Sequence, residues 1–171
     1  MPDRENSVIL RTAGDLLLNT AALALGSNLG NREQNLHAAI EHIGALGTVT
    51  AVSSFLDTAP VGFLDQPRFL NAALLVETAL PPLDLLHELL AIERSMGRDR
   101  AEVPAKGPRV IDLDLIFYDN LILTTPQLTL PHPAMHERTF VLAPLAQIAP
   151  GWPHPVSQRT VSEMLGALTS E

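Results

Sequence analysis

Asp112 and Asp114 stand two residues apart in the stretch GPRVIDLDLIFYD, Gly107 to Asp119. Its valine, isoleucines, leucines, phenylalanine and tyrosine give it the composition of a β-strand, a setting in which aspartate is disfavoured. In a strand, positions i and i+2 share a face. The alternation predicts Ile111, Leu113, Leu115 and Phe117 on one core face, and Val110, Asp112, Asp114, Ile116 and Tyr118 on the other. The two carboxylates would lie side by side, with Cα atoms roughly 6.5–7 Å apart. Like charges at that spacing repel unless a cation lies between them or one is protonated. Two readings are open: an exposed strand face that happens to carry two acids, or a divalent-metal site. Mg²⁺ suits the second, because it binds through one or two carboxylates plus phosphate oxygens.

The chain carries 11 Lys+Arg against 19 Asp+Glu, a net charge of -8. Such a balance argues against a general nucleic-acid binder. Yet Arg94, Arg98, Arg100, Lys106 and Arg109 crowd into one short segment just before the aspartates. A local basic cluster on an acidic chain points to a small anionic ligand. Basic residues at a helix end can simply favour the macrodipole, which accounts for one arginine more easily than for the run. Guanidinium groups suit bidentate recognition of phosphate. Acids for metal beside arginines for phosphate is the layout of a Mg·nucleotide site.

PHPAMHER, Pro131 to Arg138, adds His132, boxed by prolines, and Arg138. Both could reach the same phosphates, or be a solvated loop pair. His132 and His136 have zinc-like spacing, but Pro133 disfavours the helix that spacing requires, and no glutamate follows the first histidine. GSNLG, Gly26 to Gly30, matches neither phosphate-loop pattern and reads as a structural strand-to-helix turn. Phe69, Asn71 and Phe140 read first as core residues. The alternative is two rings clamping a flat heterocycle whose edge Asn71 reads.

These residues need elements to carry them. A chain of 171 residues, 46% hydrophobic and 18% charged, fits one globular domain. It has no cysteine, which excludes disulfides and Cys-ligated zinc and suits a reducing cytosol. Leu16 to Leu25 is too interrupted and too acidic in its flank for a signal peptide, and no run would span a membrane. Residues 1–19 show no pattern and are set apart as an N-terminal extension, with Ala13 to Leu18 a candidate short element. Residues 20–171 form one domain.

Strands are expected over Ala21–Leu25, Val49–Leu56, Phe69–Val76 and the aspartate stretch. An Asp119-Asn120 turn should return the chain into Leu121–Leu123 as a hairpin. Helical spacing of Leu36, Ala39, Ile40 and Ile43 predicts a helix capped by Asn31 or Asn28. A second begins at Pro81-Pro82, with Leu85, Leu86, Leu89, Ile92 and Met96 as its stripe. Further helices are expected over Glu137–Gln147 and Thr160–Leu168. The order predicts an α+β fold: a ferredoxin-like α/β sandwich, with helices packed on the faces of a mixed, mostly antiparallel sheet.

ALGSNLGNRE, SSFLDTAPVG, DQPRFLNAALLVET, IERSMGRDR, GPRVIDLDL and LPHPAMHERTFVLAPL occur in this order over roughly residues 20 to 150. Together they resemble the 6-hydroxymethyl-7,8-dihydropterin pyrophosphokinase family. The resemblance implies transfer of pyrophosphate from ATP to the pterin hydroxymethyl group in folate biosynthesis, with release of AMP and use of two Mg²⁺ ions. It implies that Asp112 and Asp114 ligate metal and that Arg98, Arg100 and Arg109 hold phosphates. Arg98 and Arg109, with the two aspartates, would carry the chemistry. Glu93, His132 and Arg138 match further ATP-site positions. Thr58, Val61, Phe69, Asn71 and Phe140 match the pterin pocket. The expected partners are these small molecules, with no nucleic acid or membrane, in the cytoplasm.

The chain departs from the family pattern before Gly107, where an Arg-Trp pair is common. Here Glu102-Val103-Pro104-Ala105-Lys106 stands, without the tryptophan. Phe69 replaces a frequent tyrosine and Ala59 a frequent proline. Two other classes of function compete: a non-catalytic module that binds nucleotide or pterin and regulates a partner, and a pyrophosphokinase for another hydroxymethyl heterocycle.

Overall fold

A computed structural model describes residues 18–60, 65–97 and 108–169. Strand β1, Asn19–Ser27, is followed by helix α1, Arg32–Ile43, and strands β2, Thr48–Val52, β3, Leu56–Thr58, and β4, Phe69–Thr78. Helix α2, Pro82–Ser95, precedes β5, Asp112–Tyr118. The short strands β6, Leu123–Thr124, and β7, Thr129–Leu130, a 3₁₀ turn at Met135–Glu137, and helices α3, Thr139–Ile148, and α4, Val161–Thr169, complete the chain. The main sheet runs β2-β4-β1-β5, with β3 also on β4, and every pairing among the described residues is antiparallel.

The near-continuous apolar run of β1 fits its place between β4 and β5, covered on both faces. One face packs Leu23, Leu25, Leu74 and Leu113 against the stripes Leu36, Ala39, Ile43 of α1 and Leu85, Leu89, Ile92 of α2. The other packs Ala22, Ala73 and Phe117 against Val141, Leu142, Leu145 of α3 and Val161, Met164 of α4. The α+β sandwich is therefore as expected, with helices on both faces of the sheet.

Sequence alternation fails at one position in β5. Ala22 pairs with Phe117 and Leu23 with Leu115, so Ile116 is an extra, bulged residue. A bulge reverses the facing of everything beyond it. Phe117 was expected on the face of Leu113 and Leu115. It lies instead on the face of the aspartates and stacks on Trp152, ring centroids 5.2 Å apart. Tyr118 moves the opposite way, and its hydroxyl donates to the Leu80 carbonyl at 2.6 Å.

Three further expectations are corrected. The strand expected over Val49–Leu56 divides at Ser53, whose N–H donates to Ala73 O (2.9 Å) and whose hydroxyl accepts from Ala73 N–H (2.8 Å). The side chain thus substitutes for ladder bonds. The turn at Asp119-Asn120 forms, with Asp119 at φ 49°, but no hairpin runs back along β5. Its bulge carbonyl, Ile116 O, accepts from His132 N–H at 3.0 Å, and Leu123–Thr124 pairs with Thr129–Leu130 instead. The helix expected from Glu137 starts at Thr139, because Arg138 is extended (φ -119°, ψ 99°). Residues 1–17 lie outside the described residues.

Candidate active site

The β1–β4 and β1–β5 registers fix two rows across the sheet. Gly26 pairs with Asn71 on one side and Asp112 on the other; Ala24 pairs with Ala73 and Asp114. Directly paired residues share a face, so Asn71, Asp112 and Asp114 do as well. They sit at the end of the face whose other end α3 and α4 cover. The aspartates are half-buried, and the bulge that aims Phe117 into that cover begins two residues later.

Arg109 precedes the strand and is 9% exposed. Its Nη1 lies 3.2 Å from Asp112 Oδ2. The Leu113 N–H, between the two aspartates, donates to Glu93 Oε2 at 2.7 Å. Glu93 is 2% exposed near the end of α2, so its carboxylate fixes the strand from the opposite face.

His132 is held by its N–H on the bulge carbonyl, and its Nδ1 accepts from Ala134 N–H at 3.2 Å. In the neutral ring the proton therefore sits on Nε2, a donor. Burial pushes its pKa from 6.5 down to about 4; the Arg138 charge pushes the same way and Asp112 opposes. The Arg138 guanidinium lies over the Phe140 ring, 5.7 Å from its centroid.

On the other side of Gly26, Asn71 Nδ2 donates to Thr58 Oγ1, and a Phe69 ring carbon lies 3.5 Å from where a Gly26 Cβ would stand. Arg32 and Arg68 both bind the Asp57 carboxylate and hold it below the usual carboxylate range, Arg68 having the larger effect. That network ties the start of α1 to β3 and to the residue before β4. A cavity of about 440 Å³ is lined by Leu56, Thr58, Ala59, Arg138, Phe140 and Ala143. Phe69 and Asn71 are not in its lining.

The fold thus gathers Glu93, Arg109, Asp112, Asp114, His132 and Arg138 at one end of the sheet, and Thr58, Phe69 and Asn71 on the far side of β1 from the aspartates. Arg98, Arg100, Lys106 and Val61 lie outside the described residues. Two hard carboxylates on one face, with arginines and a neutral histidine beside them, fit Mg²⁺ shared with phosphate oxygens. Among the described residues no group of three His, Cys, Asp or Glu is arranged for a metal, and His136 turns to Glu137 at 3.7 Å.

Sequence reading missed Asn28. Asn31 is the helix cap, its side chain accepting from Gln34 N–H at 3.0 Å. Asn28 is instead buried, and its partners are Gln66, Pro67 and Arg109. The turn around it is structural, as expected: Gly30 adopts φ 68°, and Asn35 Nδ2 donates to Leu29 O at 2.8 Å.

Residues 22–150 match the model of a family described as 7,8-dihydro-6-hydroxymethylpterin-pyrophosphokinase (HPPK). A 2-amino-4-hydroxy-6-hydroxymethyldihydropteridine pyrophosphokinase of Bacillus subtilis is 49% identical over 132 residues, covering 76% of this chain and 78% of that one. The Haemophilus influenzae protein of the same name is 45% identical over 141 residues, covering 81% and 87%. The crystal structure of wild-type Plasmodium falciparum HPPK-DHPS superposes with a TM-score of 0.72 at 15% identity, a likeness of fold. It covers 90% of this chain, which spans 45% of the Plasmodium chain.

Proposed function

The chain belongs to the 7,8-dihydro-6-hydroxymethylpterin-pyrophosphokinase family, an ATP-dependent enzyme of folate biosynthesis, and from that premise we propose how its residues divide the work. ATP and the hydroxymethyl pterin are its small-molecule substrates, and the pterin diphosphate and AMP its products. The observation that carries the division is the row Asn71–Gly26–Asp112. Two strand spacings put the Asn71 and Asp112 backbones roughly 9.5 Å apart. A pterin ring held at Asn71 would direct its hydroxymethyl group toward a phosphate held at Asp112.

On this reading Asn71 and Thr58 meet the hydrogen-bonding edge of the pterin, with Phe69 and Phe140 against its faces and Val61 completing the pocket. Arg98, Arg100, Arg109, His132 and Arg138 bind ATP, and Glu93 serves the ATP site by holding the strand that carries the aspartates. Asp112 and Asp114 hold two Mg²⁺ ions together with the triphosphate. Bound there, the metal would offset phosphate charge and favour ionisation of the attacking hydroxyl. Arg109, already fixed by Asp112, presents its guanidinium to the charge that spreads over the transferring group. His132 donates from Nε2 as a neutral ring. Its low pKa lets it do so throughout the neutral pH range. Much of the rate comes from holding two substrates in line. No helix among the described residues is long and apolar enough to cross a membrane, and we place the enzyme in the cytoplasm.

The test is a single-turnover incubation with ATP, Mg²⁺ and 6-hydroxymethyl-7,8-dihydropterin, with the nucleotides separated. AMP formed one-for-one with pterin diphosphate is the expected result. ADP would overturn the assignment of the attacked phosphorus, and intact ATP would favour a regulatory binding module.

A further inference from the structure

The ladders that join β1 to its neighbours end at the edge of the site. Pairing with β4 ends at Ser27–Leu70 and pairing with β5 ends at Gly26–Asp112. Arg109 lies three residues before Asp112, outside the strand. Pro67 lies two residues before Phe69, outside β4. Asn28 is the first residue of β1's continuation and is 1% exposed.

It bridges both gaps. Its N–H donates to Arg109 O at 3.1 Å, and its Oδ1 accepts from Arg109 N–H at 2.8 Å. Its Nδ2 donates to Gln66 Oε1 at 2.8 Å and to Pro67 O at 3.0 Å. Both amide donors are thus used on one segment, and the acceptor on the other. A buried asparagine of this kind could serve stability alone. What distinguishes this one is what it holds: on one side the backbone of the arginine paired with Asp112, on the other the entry to the strand carrying Phe69 and Asn71.

We propose that Asn28 is a positioning residue that keeps the phosphate side and the heterocycle side of the site in register. The inference rests on the function proposed above. A misplacement of about 1 Å can cost roughly a hundredfold in rate when two bound groups must meet. Loss of Asn28 therefore falls on kcat, while each substrate alone still finds its own half-site.

Asn28→Ala is expected to lower kcat about 30- to 100-fold, with the Kd of Mg·ATP and of the pterin, each measured singly, within about threefold of native. Asn28→Asp keeps the acceptor for Arg109 N–H and loses both donors, so its kcat should fall between alanine and native. Gln66→Ala, at a half-buried position, removes one acceptor; a severalfold loss of kcat at unchanged melting temperature is expected. A purely stabilising role gives a different pattern: Asn28→Ala would melt earlier, with kcat per folded molecule unchanged and Gln66→Ala at native rate. That pattern overturns the inference and leaves the proposed function intact. A native chain that forms no AMP overturns both.

Discussion

Gly26 and Asn71 face each other across the β1–β4 pairing so closely that a methyl group on Gly26 would stand 2.9 Å from Asn71 Oδ1. The approach, not the backbone conformation, is what requires glycine here. Asn71 cannot swing away freely, because its amide is bound to Thr58. Gly26→Ala should therefore displace the Asn71 side chain and raise the KM for the pterin about tenfold, the scale of one or two lost hydrogen bonds. The Kd for Mg·ATP should stay within about threefold. Steady-state kinetics with each substrate varied would check this; equal effects on both would show that the two half-sites are not separate.

Asp114 pairs with Ala24, a row away from the Arg109–Asp112 ion pair. Asp114→Asn keeps the shape and removes the charge, so the fold should persist. The rate at saturating Mg²⁺ should fall by about three orders of magnitude, as for removal of a main electrostatic stabiliser. Asp112→Asn should lose as much rate and in addition release Arg109. A folded Asp114→Asn protein with near-native turnover would remove the metal assignment.

His132 gives a pH signature with a definite sign. Its pKa is about 4 in the folded protein and 6.5 ordinarily, because burial penalises the charged ring. Between those values the unfolded chain binds a proton that the folded one does not. Its contribution therefore leaves stability unaffected above about pH 6.5, becomes destabilising as pH falls from there, and levels off below about pH 4. Urea unfolding in metal-free buffer should show native protein losing more stability than His132→Asn between pH 7 and 5. Ring NMR should titrate far below 6.5, and a midpoint near 6.5 would contradict the half-buried, neutral ring.

Gly47 provides a control away from the chemistry. A Cβ there would lie 2.1 Å from the backbone oxygen of Glu77, which cannot rotate aside. Gly47→Ala should cost about 2 kcal/mol or more of stability, in the range of backbone clashes, and leave kcat per folded molecule unchanged. Denaturant melts together with active-site titration would separate the two effects.

Much of the site was legible because it rests on local pattern. Asp112 and Asp114 share a face through simple alternation, and the packed stripe of α2 follows from helical spacing. Phe117 was misplaced because a bulge depends on pairing with β1, which no local pattern of β5 encodes. Asn28 was read only as one of two candidate helix caps, since its true partners lie 38, 39 and 81 residues away. The Leu121–Leu123 hairpin failed for a similar reason: the bulge carbonyl it would have neighboured is occupied by His132. Turn chemistry predicted the turn correctly but could not say which edge was open.

Glu93 separates the placing of the aspartates from their charge. Its Oε2 accepts from the Leu113 N–H between them, inside the protein. Glu93→Ala would leave that N–H without this acceptor, at a cost of about 1–3 kcal/mol, and free the strand that carries both carboxylates. Glu93→Gln retains an oxygen that can accept the same bond while removing a charge. If Glu93 acts by holding the strand, the glutamine variant should recover most of the stability and most of the kcat lost with alanine. If its charge acts on ATP directly, Gln should restore stability while the KM for Mg·ATP stays as high as in the alanine variant. The strong bond to Leu113 and the burial of the carboxylate favour the first outcome, and melting curves measured beside KM and kcat for the two variants decide between them.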